Sequence, residues 1–133
     1  MQTIQQLKEK FISDTELVLK DFSRFKSLSE NQINWKLDEQ GWSIAECIDH
    51  LAVTNNLYLA EFEKQFATKQ IKTDPSKTEV KHKWLCKFII KGVDPVNIKK
   101  SKTFSVFMPS MSNYKKDVFE YFFDLQNNLI NLV

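Results

Sequence analysis

Apolar residues recur in three long stretches of this chain at three- and four-residue steps, the spacing of one helix face rather than of a strand. In the first stretch, residues 3–27, Ile4, Leu7, Phe11, Thr15, Val18, Phe22 and Phe25 form a stripe that Ile12 and Leu19 widen. The period breaks over Ser27–Lys36, which reads as a connector with a short turn of helix. Trp35 and Leu37 are expected to fold back on the bundle end. A second helix is predicted from about Ser43 to Lys69. At roughly 100° per residue, Ile44, Cys47, Ile48, Leu51, Asn55, Tyr58, Leu59, Phe62 and Phe66 share one broad face, with Asp49, Asn56 and Glu63 opposite. A loop over 70–77 follows, marked by Asp74-Pro75. Val80, Trp84, Leu85, Phe88 and Ile89 then give a short amphipathic helix, with Gly92 as its C′ residue. Residues 93–110 read as irregular, with Pro95 and Pro109 as breakers. The last helix starts near Ser112 on Tyr114, Val118, Tyr121, Phe122, Leu125, Leu129 and Leu132, broadened by Phe119 and Phe123.

Three long helices and a short one predict an all-α, antiparallel helical bundle with up-and-down connections. At 133 residues it reads as a single domain over 1–133. Two glycines and three prolines agree with that class, because sheets need more turns. With three long helices a broad groove stays open, to be filled by the short helix, by another chain, or by a fourth helix that this sequence lacks.

The sharpest local signal lies at the start of the second helix. Ser43 is placed to cap it and Glu46, three residues on, to reach back to the cap amide, which makes a capping box. Trp42 and the fourth helical residue, Cys47, are positioned for a hydrophobic staple, and Gly41 for a sharp entry. Ser76 and Glu79 have the spacing of a second capping box. His50 projects from the second turn of the well-started helix, on the edge of its apolar face, with Glu46 and Thr54 one turn to either side.

Charge and cysteine content narrow the function classes. The formal charge is +2, but residues 77–102 carry eight lysines against Glu79 and Asp94, a local +6. Without a nucleic-acid motif, and with Trp84 and Phe88 on the helix's apolar face, that segment reads as a solvated charged surface, so nucleic acid is not an expected partner. Asp117, Glu120 and Asp124 likewise read as a solvated acidic strip. No apolar run approaches the roughly 20 residues of a membrane span, and the N-terminus has no basic region leading into an apolar one. Cys47 and Cys86 are read as reduced, buried small hydrophobes of a cytoplasmic protein; a helix-start thiolate at Cys47 is the less favoured alternative. Glu46 is assigned to capping ahead of general base or orienter of His50. Asn55 and Tyr58 are assigned to hydrogen bonding inside the bundle.

The segment Leu28-Ser-Glu-Asn-Gln-Ile-Asn-Trp-Lys, followed by Gly41-Trp-Ser-Ile-Ala-Glu-Cys-Ile-Asp-His-Leu, resembles the DinB-like (DinB/YfiT-type) superfamily of metal-dependent four-helix bundles. Its specific part is Trp-Ser-x-x-Glu-x-x-x-His-Leu, here Trp42 to Leu51. The resemblance implies a divalent metal, zinc or nickel, held by three histidines. His50 matches the first ligand. The other two form a His-x-x-x-His pair on a fourth helix; this sequence contains no such pair, and its remaining histidine, His82, sits among lysines. The implied activity is transfer of a thiol cofactor to a small-molecule electrophile, or a related hydrolysis. The alternative is a metal-free, non-catalytic helical module that self-associates, as a homodimer, through its apolar last helix.

Overall fold

The computed structural model describes residues 2–68, 74–80, 84–94, 96 and 102–133. His82 lies outside the described residues, as do the side chain of Cys86 and much of the basic 77–102 segment. The elements are α1 (Ile4–Ser23), continued by a 3₁₀ turn (Arg24–Ser27), α2 (Glu30–Asn34), α3 (Ile44–Thr68), α4 (Trp84–Val93), a second 3₁₀ turn (Ser105–Phe107) and α5 (Asp117–Leu132). The all-α class and the helical bundle expected from the apolar pattern are therefore present. No helix among the described residues is long and apolar enough to cross a membrane.

Local chemistry explains where the helices begin. Thr3 caps α1, its hydroxyl accepting from Gln6 N at 3.2 Å while the Gln6 side chain accepts from Thr3 N at 3.0 Å. The next unpaired donors of that first turn are met from a distance. Ile4 N donates to the Thr78 carbonyl at 2.9 Å and Gln5 N to the Pro75 carbonyl at 3.1 Å. Ser29 and Gln32 form the same reciprocal cap on α2. The expected Ser76–Glu79 cap is not formed. Asp74 instead accepts from Ser76 N and Ser76 Oγ, at 3.0 and 2.7 Å, and Glu79 forms an isolated antiparallel bridge with Thr3. Residues 74–80 thus close over the start of α1 rather than start a helix. Gly92 lies within α4, and no described glycine has a positive φ, so it is not a left-handed C′ residue.

The core lies between α3 and α5, with α1 and α2 closing its sides. Ile33, Ala45, Ile48, Ala52, Tyr114, Val118, Phe119, Phe122 and Leu125 are buried together. Phe22 of α1 meets Phe122 with ring centroids 5.4 Å apart, and Lys26 sits 4.1 Å over the Phe123 ring. The end of α1 therefore lies against the start of α5, so these two helices are antiparallel. Asp49, in the second turn of α3, bonds to Tyr114 just ahead of α5. Consequently α3 and α5 set out from the same end of the bundle, and the segment between them carries the chain back along it instead of turning over at one end.

Two expectations change. Ile33, wholly buried, plugs the bundle end, whereas Trp35 and Leu37 are 66% and 83% exposed. Four residues on from Ser29, the α2 turn points Ile33 inward. Trp35, its C-cap, is already extended and leads away. The buried face of α3 is also rotated from the one the large apolar side chains suggested. Ala45, Ile48, Asp49 and Ala52 are buried, while Leu51, Tyr58, Phe62 and Phe66 are exposed. Ala45 and Ala52 share one buried cluster with the Phe119 and Phe122 rings, so the buried stripe of α3 is the one of lesser apparent hydrophobicity. On α5 the expected stripe holds except at Tyr121, which is 48% exposed, and Asp117, Glu120 and Asp124 are exposed as anticipated.

Ile33→Ala is expected to lower unfolding free energy by about 2–5 kcal/mol. Leu37→Ala should change it by less than about 0.5 kcal/mol. Urea denaturation of both variants measures the contrast, and equal losses would contradict the placement of the two side chains.

Candidate functional site

The capping box at the start of α3 forms as its spacing requires. Ser43 Oγ accepts from Glu46 N at 3.2 Å, and Glu46 Oε2 accepts from Ser43 N at 2.7 Å. Glu46 is buried, and its second oxygen receives the Lys36 ammonium at 2.6 Å. Burial by itself would raise the Glu46 pKa. The Lys36 hydrogen bond and the Ser43 amide outweigh it, and the carboxyl is held below its ordinary value of 4.5. With both oxygens engaged, Glu46 is a structural carboxylate and neither a free base nor the orienter of His50. Gly41 is set by proximity. Asp38 Oδ1 accepts from both Gln40 N and Gly41 N, at 2.9 and 2.6 Å, and a Cβ at position 41 would meet that oxygen at 3.3 Å.

His50 is half-buried. Its Nδ1 lies 2.5 Å from the carbonyl oxygen of Phe107, which ends the second 3₁₀ turn. A carbonyl only accepts, so Nδ1 carries the proton. In the neutral ring Nε2 is then left with its lone pair. The Trp42 ring packs against the imidazole with centroids 5.0 Å apart. Trp42 thus has the His50 ring as its neighbour. Cys47 is exposed, which leaves the expected staple without a buried partner and overturns the reading of Cys47 as a core residue. Partial desolvation and the neighbouring Glu46 raise the Cys47 pKa, so the thiol is protonated near neutrality and the helix-start thiolate is not supported.

Beside His50 stands a feature that apolar periodicity placed on the wrong side of the helix. Asp49 is 6% exposed. Its Oδ2 accepts from Ser110 N at 2.6 Å and from Ser110 Oγ at 2.9 Å, and lies 2.9 Å from the Tyr114 hydroxyl. That hydroxyl accepts from Met111 N at 2.9 Å and is 2.8 Å from the Met111 carbonyl. Burial, with a further contribution from the Asp49 charge, pushes the Tyr114 pKa up and keeps the group a donor. Asn34 grips the same stretch from α2, its Oδ1 accepting from Tyr114 N at 2.8 Å and its Nδ2 donating to the Tyr114 carbonyl at 2.7 Å. The legible trace of this cluster in the sequence was an acidic residue between Ala45, Ile48 and Ala52, where an unpaired charge would be costly.

A cleft of about 500 Å³ opens beside Trp42, lined also by Gln40, Lys102, Thr103 and Met108. A second, of about 780 Å³, adjoins it through Gln40 and Lys102 and is bounded by Asp38, Glu39 and Gly41. The first shares Trp42 with the His50 ring contact and Met108 with the stretch that holds the imidazole. Of the other candidates, Tyr58 is exposed and stacks on Phe62 at 6.3 Å rather than hydrogen-bonding inside the bundle, and Asn55 is half-buried. A profile of the DinB superfamily matches residues 16–131, a span that includes every residue of this site. No curated protein and no solved structure matches the chain significantly.

Because the folded-state pKa of Glu46 is depressed, its contribution to stability is present above pH 4.5 and is lost as pH falls through the lower folded-state value. Glu46→Gln should therefore reduce stability at neutral pH and flatten the acid limb of the stability curve below pH 4.5. Denaturation midpoints across that range test the sign. Parallel curves for variant and parent would refute it.

Proposed function

The chain belongs to the DinB superfamily, and from that premise we propose that it is a transferase or hydrolase acting on a small molecule in the cleft beside Trp42, with His50 Nε2 as the working atom. The observation that carries this reading is the bond from Nδ1 to Phe107. It commits the ring proton to one nitrogen and leaves the other with its lone pair, the form of imidazole that ligates a metal or accepts a proton. The shared position of Trp42, on the cleft wall and against the imidazole, supports it. His50→Ala should lower turnover of a processed thiol or electrophile by about 100-fold or more without unfolding the protein. Undiminished turnover would remove His50 from the mechanism.

Zinc or nickel is the cofactor implied by the sequence resemblance, and a catalytic zinc takes three protein ligands with one position open. The donors near His50 are committed elsewhere: Glu46 to Lys36 and Ser43, Asp49 to Ser110 and Tyr114. Among the described residues no group of three His, Cys, Asp or Glu side chains could hold an ion. These residues do not by themselves fit a resident metal. Calorimetric titration with zinc and with nickel should accordingly give weak binding, as one imidazole does. A tight one-to-one site abolished by His50→Ala would mean that donors beyond the described residues complete the set, and metal-dependent thiol transfer or hydrolysis would be the reaction class.

A second reading, a non-catalytic module that self-associates, is favoured by a separate observation. Leu7 and Phe11 of α1, and Leu57, Tyr58, Phe62 and Phe66 of α3, are more than a third exposed. Apolar surface of that kind marks association sites. Sedimentation should then show a dimer that Phe62→Glu dissociates. A monomer at all accessible concentrations excludes it.

A further inference from the structure

We propose that Asp49 is a positioning residue for His50, acting through residues 107–110 as a stiff link. The inference deepens the proposed role of His50 and rests on it. Asp49 and His50 are consecutive on α3 and grip the two ends of one short segment. Asp49 Oδ2 takes the N–H and hydroxyl of Ser110, and His50 Nδ1 donates to the carbonyl of Phe107. Between those ends the chain has little freedom. Met108 is extended, with φ −65° and ψ 148°, as a residue before proline is constrained to be. Pro109 has a fixed φ and no N–H to pair. The Phe107 end is tied internally as well, Phe107 N bonding to the Phe104 carbonyl at 2.9 Å and Met108 N to the Ser105 carbonyl at 3.2 Å.

The position of Ser110 therefore sets the position of the Phe107 carbonyl, and that carbonyl selects the tautomer and rotation of His50. The carboxylate is well suited to this task. A charged acceptor with three donors on one oxygen makes strong, directional bonds. No salt bridge to Asp49 is formed among the described residues, so its interactions are spent on residues 110–114. Tyr114, held on its other side by Asn34, fixes the downstream end of the segment to α2. Met108, carried on the same link, lines the cleft, so one anchor aligns the imidazole and one wall of the pocket together.

The test reads the imidazole directly in metal-free protein, so its outcome does not depend on whether turnover or metal binding is ever found. Protein labelled with ¹⁵N-histidine is examined at about pH 8, above the ordinary imidazole range. In the parent, the His50 Nδ1 resonance should be that of a protonated ring nitrogen and Nε2 that of an unprotonated one. Asp49→Ala should abolish that pattern, moving Nδ1 toward the unprotonated value. Asp49→Asn, which keeps a side-chain oxygen acceptor, should restore it at least in part. Ser110→Ala, which removes one exposed hydroxyl, should give a smaller shift in the same direction and stands in for Asp49→Ala if that variant does not fold. An Nδ1–H pattern unchanged in both Asp49→Ala and Ser110→Ala, or its absence from the parent, would overturn the proposal.

Discussion

A buried carboxylate organises this bundle. Removing a charge from water is costly unless hydrogen bonds replace the hydration. Asp49 meets that condition with donors from Ser110 and Tyr114, both more than 60 residues away in the chain. Tyr114 is in turn clamped by Asn34 of α2. One side chain thus joins α3, the 105–114 stretch and the entry to α5, and Asn34 adds α2. The aromatic packing between α3 and α5 then follows along a line that this polar junction has already placed.

Next to that junction the start of α3 and the His50 ring are held by their own bonds. The capping box and the Lys36–Glu46 pair hold the start of α3, and the Phe107 carbonyl holds the imidazole proton on Nδ1. Glu46, a natural candidate for chemistry on spacing alone, is consumed by the fold. Cys47 faces solvent as a protonated thiol. Beside them His50 keeps a ring nitrogen with a lone pair, an indole packed against the imidazole, and a cleft walled by Trp42 and Met108.

The distribution of apolar surface separates the two ends of the molecule. Near the site, small residues on α3 let Phe119 and Phe122 pack closely. Farther along α3, Tyr58, Phe62 and Phe66 form a ladder of neighbouring rings that remain exposed, with centroid spacings of 6.3 and 6.5 Å. A polar-braced end thus adjoins a more loosely covered apolar flank.

Helix content, the α3 capping box and most of the α5 stripe were legible in the sequence. Each is governed by interactions within about four residues, where spacing is geometry. The burial of Asp49, the exposure of Leu37 and Cys47, and the rotation of α3 were decided only by tertiary structure. Hydrophobic periodicity counts side chains as apolar or polar and gives large ones the greater weight. It has no means of knowing that Ala45 and Ala52 would admit two phenylalanines, or that Ser110 and Tyr114 would arrive to satisfy a carboxylate between them. The tautomer of His50 belongs to the same class, since it is set by a carbonyl 57 residues away that no local pattern could have placed.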